Sequence, residues 1–238
     1  MHPTNSPFNI QHSLFAFPNA AAFGKVLNKE RFYAGARNNR KLKQLFTSQV
    51  ARVTWMYKLA PLTVNLPATT DVPEIEVIKI ECTGSELDPA VLLAIDKVIP
   101  NPTIHELHAG GRVQQTAGYK RASEADVKAW VISHYVASEW LAVDNSRRPL
   151  PQSLNLGNLY AGLLRSMIDV PAGDGETLRA HMERHGQVLA HRREADLITK
   201  KMNAEKQLNR KVEWNAQLRL VNQQIQTLTS QSTQEADA

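Results

Sequence analysis

The eight residues from Ile75 to Cys82 constrain the fold of this chain more than any other segment. Ile75, Val77, Ile78 and Ile80 are β-branched and lie at both odd and even positions of the run. Such a pattern indicates a strand covered on both faces, and therefore a strand inside a sheet. We expect Cys82, at the end of this strand, to be a buried core residue.

A helix and a hairpin are predicted directly after this strand. The helix spans Pro89–Ile99, where Asp88 provides a cap and the proline occupies the first helical position. The hairpin joins strands Thr103–His108 and Arg112–Tyr119 across Ala109-Gly110-Gly111. With a further strand at Trp130–Val136, the order of elements predicts an α+β domain with a mainly antiparallel sheet of about four strands, packed by helices.

Helical patterns are also found before and after this central region. The strongest runs from Asn38 to Leu59, where apolar residues recur at helical spacing. We predict shorter helices at Asn19–Tyr33, Ser123–Lys128 and Ser153–Ile168.

The C-terminal part reads as one long helix with coiled-coil character. From Glu176 to about Ser230 there is no proline. An apolar stripe with steps of four and three residues is expected to bind a partner helix: Trp214, Leu218, Val221, Ile225 and Leu228. The stripe either pairs with another chain, including a second copy of this one, or folds back on its own domain.

Composition changes along the chain suggest a division into domains. We expect a flexible tail at residues 1–17, an α+β domain at 18–170 and a linker at 171–175. The long helix then occupies residues 176–230 and a disordered tail residues 231–238.

The positive charge of this chain is concentrated in one block. Although the formal net charge is only +5, the segment Gly24–Lys58 contains nine Lys or Arg residues and a single acid, Glu30. A localised basic block is typical of contact with phosphate groups or with an acidic partner. The residues expected to contact DNA or RNA are Arg37, Arg40, Lys41, Lys43 and Arg52.

No segment carries a convincing catalytic or metal-binding motif. Glu74, Glu76 and Lys79 resemble the acid–acid–lysine set of metal-dependent nucleases, but Glu76 and Lys79 are expected on opposite faces of their strand. His105 and His108 diverge for the same reason. His181 and His185 share a helix face without the glutamate order of a zinc protease. We therefore predict no catalytic residue, no metal site and no cofactor.

The single cysteine excludes an internal disulfide bond. No run of residues is long and apolar enough for a membrane span, and the N-terminus lacks a signal-peptide pattern. The expected compartment is the cytoplasm, without a membrane partner.

Five segments resemble a known bacterial family. They are AAAFGKVL (20–27), WMYKLAPLTVNLPAT (55–69), LDPAVLLAIDKVIPNPTIHEL (87–107), GYKR (118–121) and EKQLNRKVEWNAQLR (205–219). They are similar to the family called domain of unknown function 4391. The resemblance implies a genomic setting near SNF2-type helicases and DNA methyltransferases of phage-defence or restriction-like islands, and it implies no catalytic residues.

Two functions follow as expectations. The first is a non-catalytic accessory or adaptor protein that contacts nucleic acid through the basic block and a protein partner through the terminal helix. The nearby helicase and methyltransferase are the expected partners. The alternative is a divergent metal-dependent nuclease centred on Glu74, Glu76 and Lys79.

Overall fold

The computed structural model describes residues 14–36, 39–123 and 130–230. They fall into two compact units that divide between Met167 and Ile168. The first unit is an α+β domain, as predicted. The second unit is made of helices.

Seven strands form one sheet in the described part of the first unit. They are β1 (Ala22–Leu27), β2 (Val50–Leu59), β3 (Ile75–Cys82), β4 (Thr103–Ala109), β5 (Arg112–Ala122), β6 (Trp130–Ala137) and β7 (Leu141–Ala142). Strands β1 to β6 lie side by side in chain order, and β7 pairs with β5. All neighbouring pairs are antiparallel except β3 and β4. The sheet is therefore mainly antiparallel, as predicted, but larger than the four strands expected.

The helices are α1 (Asn39–Gln49), α2 (Pro61–Val64), α3 (Pro89–Val98), α4 (Leu156–Arg165), α5 (Leu178–Ala204) and α6 (Leu208–Ser230). Helix α3 connects the two parallel strands, which cannot be joined by a tight turn. It begins as predicted, with the Asp88 carboxylate accepting a hydrogen bond from the Ala90 amide at 2.8 Å. The helix predicted at Ser123–Lys128 falls mostly outside the described residues.

The prediction of one helix from Asn38 to Leu59 is wrong. Helix α1 ends at Gln49, and the next ten residues form strand β2 between β1 and β3. The apolar positions of this segment match a helical period, but its β-branched and aromatic side chains also favour a strand. Val53 lies opposite Ile80 of β3. Pairing with a segment distant in sequence therefore decides the conformation of β2.

The helix predicted at Asn19–Tyr33 is also largely wrong. Asn19–Ala21 forms a short 3-10 helix, but Ala22–Leu27 is the edge strand β1. Gly24 within this strand has a φ of +68°, a conformation that interrupts the register between β1 and β2. A second 3-10 helix follows at Lys29–Phe32.

The hairpin between β4 and β5 is confirmed at the predicted turn. Ala109 pairs with Arg112, so the loop consists of two glycines. Gly110 and Gly111 have φ values of +54° and +75°. A two-residue loop with positive φ at both positions strongly favours glycine, which explains why this turn was readable from the sequence.

The core of the first unit lies between the sheet and helices α1 and α3. Ile78 and Ile80 of β3 pack there with Phe46 of α1 and Ile95 of α3, and all four are fully buried. Phe46 also stacks on Phe32, with ring centres 5.8 Å apart. Cys82 is half-buried at the margin of this core rather than inside it.

The prediction of one long helix from Glu176 onward is wrong. Helix α5 ends at Ala204, and α6 begins at Leu208. Glu205 has extended backbone angles, and its carboxylate accepts hydrogen bonds from the Lys206 and Gln207 amides at 2.8 and 3.0 Å. The Glu205 carboxylate thus accepts hydrogen bonds from the amide groups directly before α6. The break between the helices therefore needs no glycine or proline, the residues that would have marked it in the sequence.

Helices α5 and α6 pack against each other in antiparallel orientation. Arg184 near the start of α5 donates a hydrogen bond to the Leu228 carbonyl near the end of α6 at 2.8 Å. Towards the other end, the Lys201 ammonium lies 5.2 Å from the ring centre of Trp214. All five residues of the predicted stripe are buried or half-buried. The stripe therefore packs against α5 within the second unit.

Candidate nucleic-acid interface

Three of the five cations predicted to contact nucleic acid lie together near the start of α1. Arg40, Lys41 and Lys43 are all exposed, whereas Phe46 on the same helix is fully buried. The helix is therefore amphipathic, with its cations directed to solvent. We call Arg40, Lys41 and Lys43 the α1 basic surface. Arg37, the fourth predicted residue, lies outside the described residues.

Arg52 does not belong to the α1 basic surface. The next residue, Val53, points into the core beside α1, so Arg52 points to the opposite face of the sheet. Its Nε lies 3.7 Å from Oε2 of Glu81, which also forms an ion pair with Lys79 at 2.9 Å. The Lys79 hydrogen bond, helped by the charge of Arg52, holds the pKa of Glu81 below its usual value. The charge of Arg52 is thus partly balanced within the sheet.

Two other cations of the basic block have local structural roles. The Lys29 ammonium donates a hydrogen bond to the Val50 carbonyl at 2.7 Å, directly after the last turn of α1. A cation at this position is stabilised by the negative end of the helix dipole. Lys58 on β2 forms an ion pair with Glu74 at 2.6 Å. The concentration of charge in the sequence therefore overstates the number of cations available to a partner.

Two cations outside the predicted set extend the positive surface beside α1. Arg31 and Lys97 are exposed and line the same pocket as Lys41. Lys97 belongs to α3, in a part of the sequence where acids predominate. Sequence reasoning missed it because only packing of α3 beside α1 brings this lysine to the basic region.

The acid pair Glu74 and Glu76 is the strongest alternative site. The Asn101 amide nitrogen lies 2.5 Å from Oε1 of Glu74 and 2.9 Å from Oε1 of Glu76, so it links the two carboxylates. Glu76 is fully buried. Its Oε2 has no hydrogen-bond partner among the described residues. Burial, together with the neighbouring Glu74, raises the pKa of Glu76 to about 7, while the Asn101 amide opposes this shift.

Lys79 does not complete this acid pair. It pairs with Glu81 on the other face of β3, as the alternation of side chains predicted. Lys58 takes the place expected for Lys79, because it forms an ion pair with Glu74 and lies opposite Glu76 in the β2–β3 register. A cross-strand neighbour of this kind has no signature in the local sequence.

The predicted divergence of the two β4 histidines is confirmed. His105 points towards α3, where its Nε2 lies 3.0 Å from Oδ1 of Asp96. His108 instead approaches Glu106, at 3.5 Å. Within the described ranges, no group of three or more His, Cys, Asp or Glu side chains is arranged to hold a metal ion.

A buried polar network around Asp96 was not predicted. Asp96 accepts a hydrogen bond from the Tyr135 hydroxyl at 2.5 Å in addition to its contact with His105. The Lys120 ammonium donates to the Asp96 carbonyl at 2.6 Å and to the Ile99 carbonyl at the end of α3. Burial lowers the pKa of Lys120 to about 8, although Asp96 opposes this shift.

This network has a structural role in the first unit. Asp96 and His105 side chains are 3% and 0% exposed, so no solute reaches them in this conformation. Burial tends to raise the pKa of Asp96, but the His105 charge and the hydrogen bonds from His105 and Tyr135 hold it below its usual value. Lys120 satisfies carbonyl groups that the end of α3 leaves free. Together these contacts hold α3 on the sheet.

In fold and in exposed charge, the first unit is a mixed-sheet α+β domain with cations along one of its helices. The chain belongs to the family described as domain of unknown function DUF4391, which matches residues 15–225. This match confirms the family resemblance seen in the sequence. Comparison with curated proteins and with solved structures gave no match.

Among the described residues, no helix has the length and apolar character required to cross a membrane.

Proposed function

We propose that this protein is a non-catalytic accessory or adaptor protein of a bacterial phage-defence or restriction–modification-like system. It contacts nucleic acid weakly through the α1 basic surface and binds a protein partner through its second unit. The observation that carries the nucleic-acid part is the exposure of Arg40, Lys41 and Lys43 within four residues of one helix. The defence setting rests on the family resemblance.

The α1 basic surface is suited to phosphate groups rather than to base edges. Its members are long, flexible cations that reach solvent, and phosphate contacts of this kind position a protein without reading sequence. Each phosphate that a cation neutralises releases counterions from the nucleic acid. We therefore expect weak binding with little sequence preference and a steep loss of affinity as salt concentration rises.

Charge reversal of the α1 basic surface tests this proposal. In the variant Arg40→Glu, Lys41→Glu, Lys43→Glu, affinity for duplex or single-stranded DNA should fall strongly. The slope of log affinity against log salt, which is negative, should become shallower by roughly 0.9 for each lost contact with duplex DNA. The unfolding midpoint should change little, because all three side chains are exposed. Fluorescence anisotropy over a range of salt concentrations measures affinity and slope.

A charge-matched variant distinguishes loss of the α1 contact with DNA from general repulsion of DNA by the added negative charge. Arg193, Lys200 and Lys206 are exposed in the second unit, and their replacement by Glu changes the net charge by the same amount. This variant should keep most of the wild-type affinity. Equal loss of DNA affinity in both variants, or no salt-dependent DNA binding by the wild type, contradicts the proposed interface.

The second unit supports the partner-binding part of the proposal. Leu208, Val212 and Leu220 of α6 are 75%, 63% and 63% exposed. They lie at multiples of four residues on the same helix, whereas the stripe that includes Leu218 faces α5. The four-and-three spacing of that stripe supports coiled-coil packing between α5 and α6. We propose that the exposed apolar residues contact the neighbouring helicase or methyltransferase, or a second copy of this chain.

A divergent metal-dependent nuclease is the second candidate. The unpartnered Oε2 of buried Glu76, beside Glu74 and Lys58, is the observation that favours it. The same DNA preparations incubated with magnesium or manganese distinguish the two candidates. Cleavage that Glu76→Gln abolishes supports the nuclease, whereas binding without cleavage supports the accessory role.

A further inference from the structure

A pocket of about 610 Å³ lies between α1, α3 and the 3-10 helix Lys29–Phe32. Its walls are mostly aliphatic or aromatic, and its volume falls within the range of small-molecule sites. The lining residues that carry the argument are Phe32, Leu42, Leu45, Leu93, Ala94 and Val98.

The α3 wall of this pocket is a second apolar face of that helix. Val91 and Ile95 are fully buried in the core. Leu93 lies on a different face, where it is half-buried and lines the pocket, and Val98, at the edge of the core face, is 36% exposed and lines the pocket as well. A helix that covers a sheet needs one apolar stripe. The second face leaves apolar surface open beside solvent, which is typical of ligand sites.

The charged side chains of the pocket all have the same sign. Arg31 follows the start of the 3-10 helix, Lys41 lies on α1 and Lys97 lies on the last turns of α3. All three are exposed. No Asp or Glu is found among the described residues that line the pocket. Three separate elements thus place cations around one apolar cavity.

We propose that this pocket binds a small anion with an apolar body, such as a carboxylate, sulfonate or phosphate carried on a hydrocarbon chain or ring. The apolar walls bury the body, and Arg31, Lys41 and Lys97 contact the anionic group at the solvent side. This site is distinct from the nucleic-acid contact proposed above, although Lys41 belongs to both.

Calorimetric titration of the full chain with decanoate tests the site, and 1-decanol serves as the neutral probe of equal length. Decanoate should bind saturably to one site per chain and more tightly than 1-decanol. Leu93→Trp should weaken binding at least tenfold, because the larger side chain occupies the pocket. Lys41→Gln and Lys97→Gln should each weaken it by roughly two- to fivefold, the range of an exposed ion pair.

Lys43→Gln is the matched control, since Lys43 is exposed on α1 but does not line the pocket. It should weaken DNA binding and leave decanoate binding unchanged, whereas Leu93→Trp should do the reverse. The two proposals can therefore fail separately. Circular dichroism and thermal unfolding establish that each variant is folded.

Three results would overturn the pocket proposal. The first is a folded wild type that binds neither decanoate nor 8-anilinonaphthalene-1-sulfonate saturably. The second is decanoate binding that folded Leu93→Trp leaves unchanged. The third is equal affinity for decanoate and 1-decanol, which removes the role of the cations. If the pocket binds an acidic amphipathic peptide but neither small probe, the small-anion proposal is also wrong, and the pocket is a protein-docking groove instead.

Discussion

Two buried carboxylates of the sheet show how neighbours decide the charge of a residue. Glu76 is fully buried with one partnered oxygen, and its pKa is raised to about 7. Glu106 is also buried, and burial alone would raise its pKa. The adjacent His108 side chain, the Arg147 guanidinium, which donates a hydrogen bond at 2.6 Å, and the Gln115 amide, which donates one at 2.8 Å, lower the pKa of Glu106 to about 2 instead. The two residues therefore affect stability in opposite directions as pH changes.

We predict opposite pH dependences for Glu76→Gln and Glu106→Gln. The folded state retains the Glu76 proton up to about pH 7, so the wild type loses about 3 kcal/mol of unfolding free energy as pH rises from about 4.5 to 7. Glu76→Gln removes this loss. Glu106 contributes stability that is present above about pH 4.5 and is lost as pH falls towards 2. Glu106→Gln removes that contribution.

Urea unfolding across the two pH ranges measures both effects. Relative to the wild type, Glu76→Gln should gain stability as pH rises, and Glu106→Gln should approach the wild type only at low pH. If both variants gain stability, or both lose it, relative to the wild type as pH rises, the environments assigned to Glu76 and Glu106 are wrong.

At the scale of elements, a single arginine connects three segments of the second unit. Arg184 on α5 forms an ion pair with Glu176 at 2.7 Å and donates a hydrogen bond to the Pro171 carbonyl at 2.7 Å. It also reaches the Leu228 carbonyl at the end of α6. The guanidinium is suited to this position because it presents several donors in one plane. It therefore fastens both the segment before α5 and the last turn of α6.

We predict that Arg184→Ala destabilises the second unit by about 3 kcal/mol, since a half-buried carboxylate and two carbonyl groups lose their donor. Amide hydrogen exchange near residues 222–230 should accelerate. Arg184→Lys should recover only part of the loss, because one ammonium cannot reach all partners. Arg193→Ala, an exposed position on the same helix, is the control. Unchanged protection of α6 in Arg184→Ala would contradict this role.

At the scale of the whole molecule, the two units carry different kinds of surface. The first unit presents the α1 basic surface and the apolar pocket with its cations. The second unit presents exposed apolar residues on α6. The proposed adaptor role is consistent with this arrangement, because contact with nucleic acid and contact with a protein would then depend on different residues.

We predict that exposed and covered residues of α6 respond differently to substitution. Leu208→Asp, Val212→Asp, Leu220→Asp should abolish partner binding while the hairpin stays folded. Leu218→Asp, Ile225→Asp should unfold the α5–α6 hairpin, because both residues are half-buried. Sedimentation of each variant, alone and with the helicase and methyltransferase proposed as partners, measures association.

The control for added charge replaces Asn209, Gln217 and Asn222, all exposed on α6, by Asp. This variant should associate like the wild type. A wild type that stays monomeric and binds neither proposed partner refutes the partner-binding surface.

Short-range signals explain which elements were predictable. The bounds of β3 and the start of α3 agree with the sequence prediction, and so does the turn at Gly110-Gly111. In each case the deciding interaction acts within a few residues: continuous β-branched packing, an Asp cap or a positive φ. The exposure of Arg40, Lys41 and Lys43 follows from the same local rule, since Phe46 orients their helix.

The sequence by itself thus determined the α+β class, the central strand–helix–hairpin unit and the first half of the basic helix, which carries Arg40, Lys41 and Lys43. Only the tertiary structure decided that Val50–Leu59 is a strand, because its conformation depends on pairing with β3. Tertiary structure also separated Arg52 from the α1 basic surface and brought Lys58 to Glu74 and Lys97 to the pocket. These placements depend on contacts between residues far apart in the chain, and periodicity and local charge contain no record of such contacts.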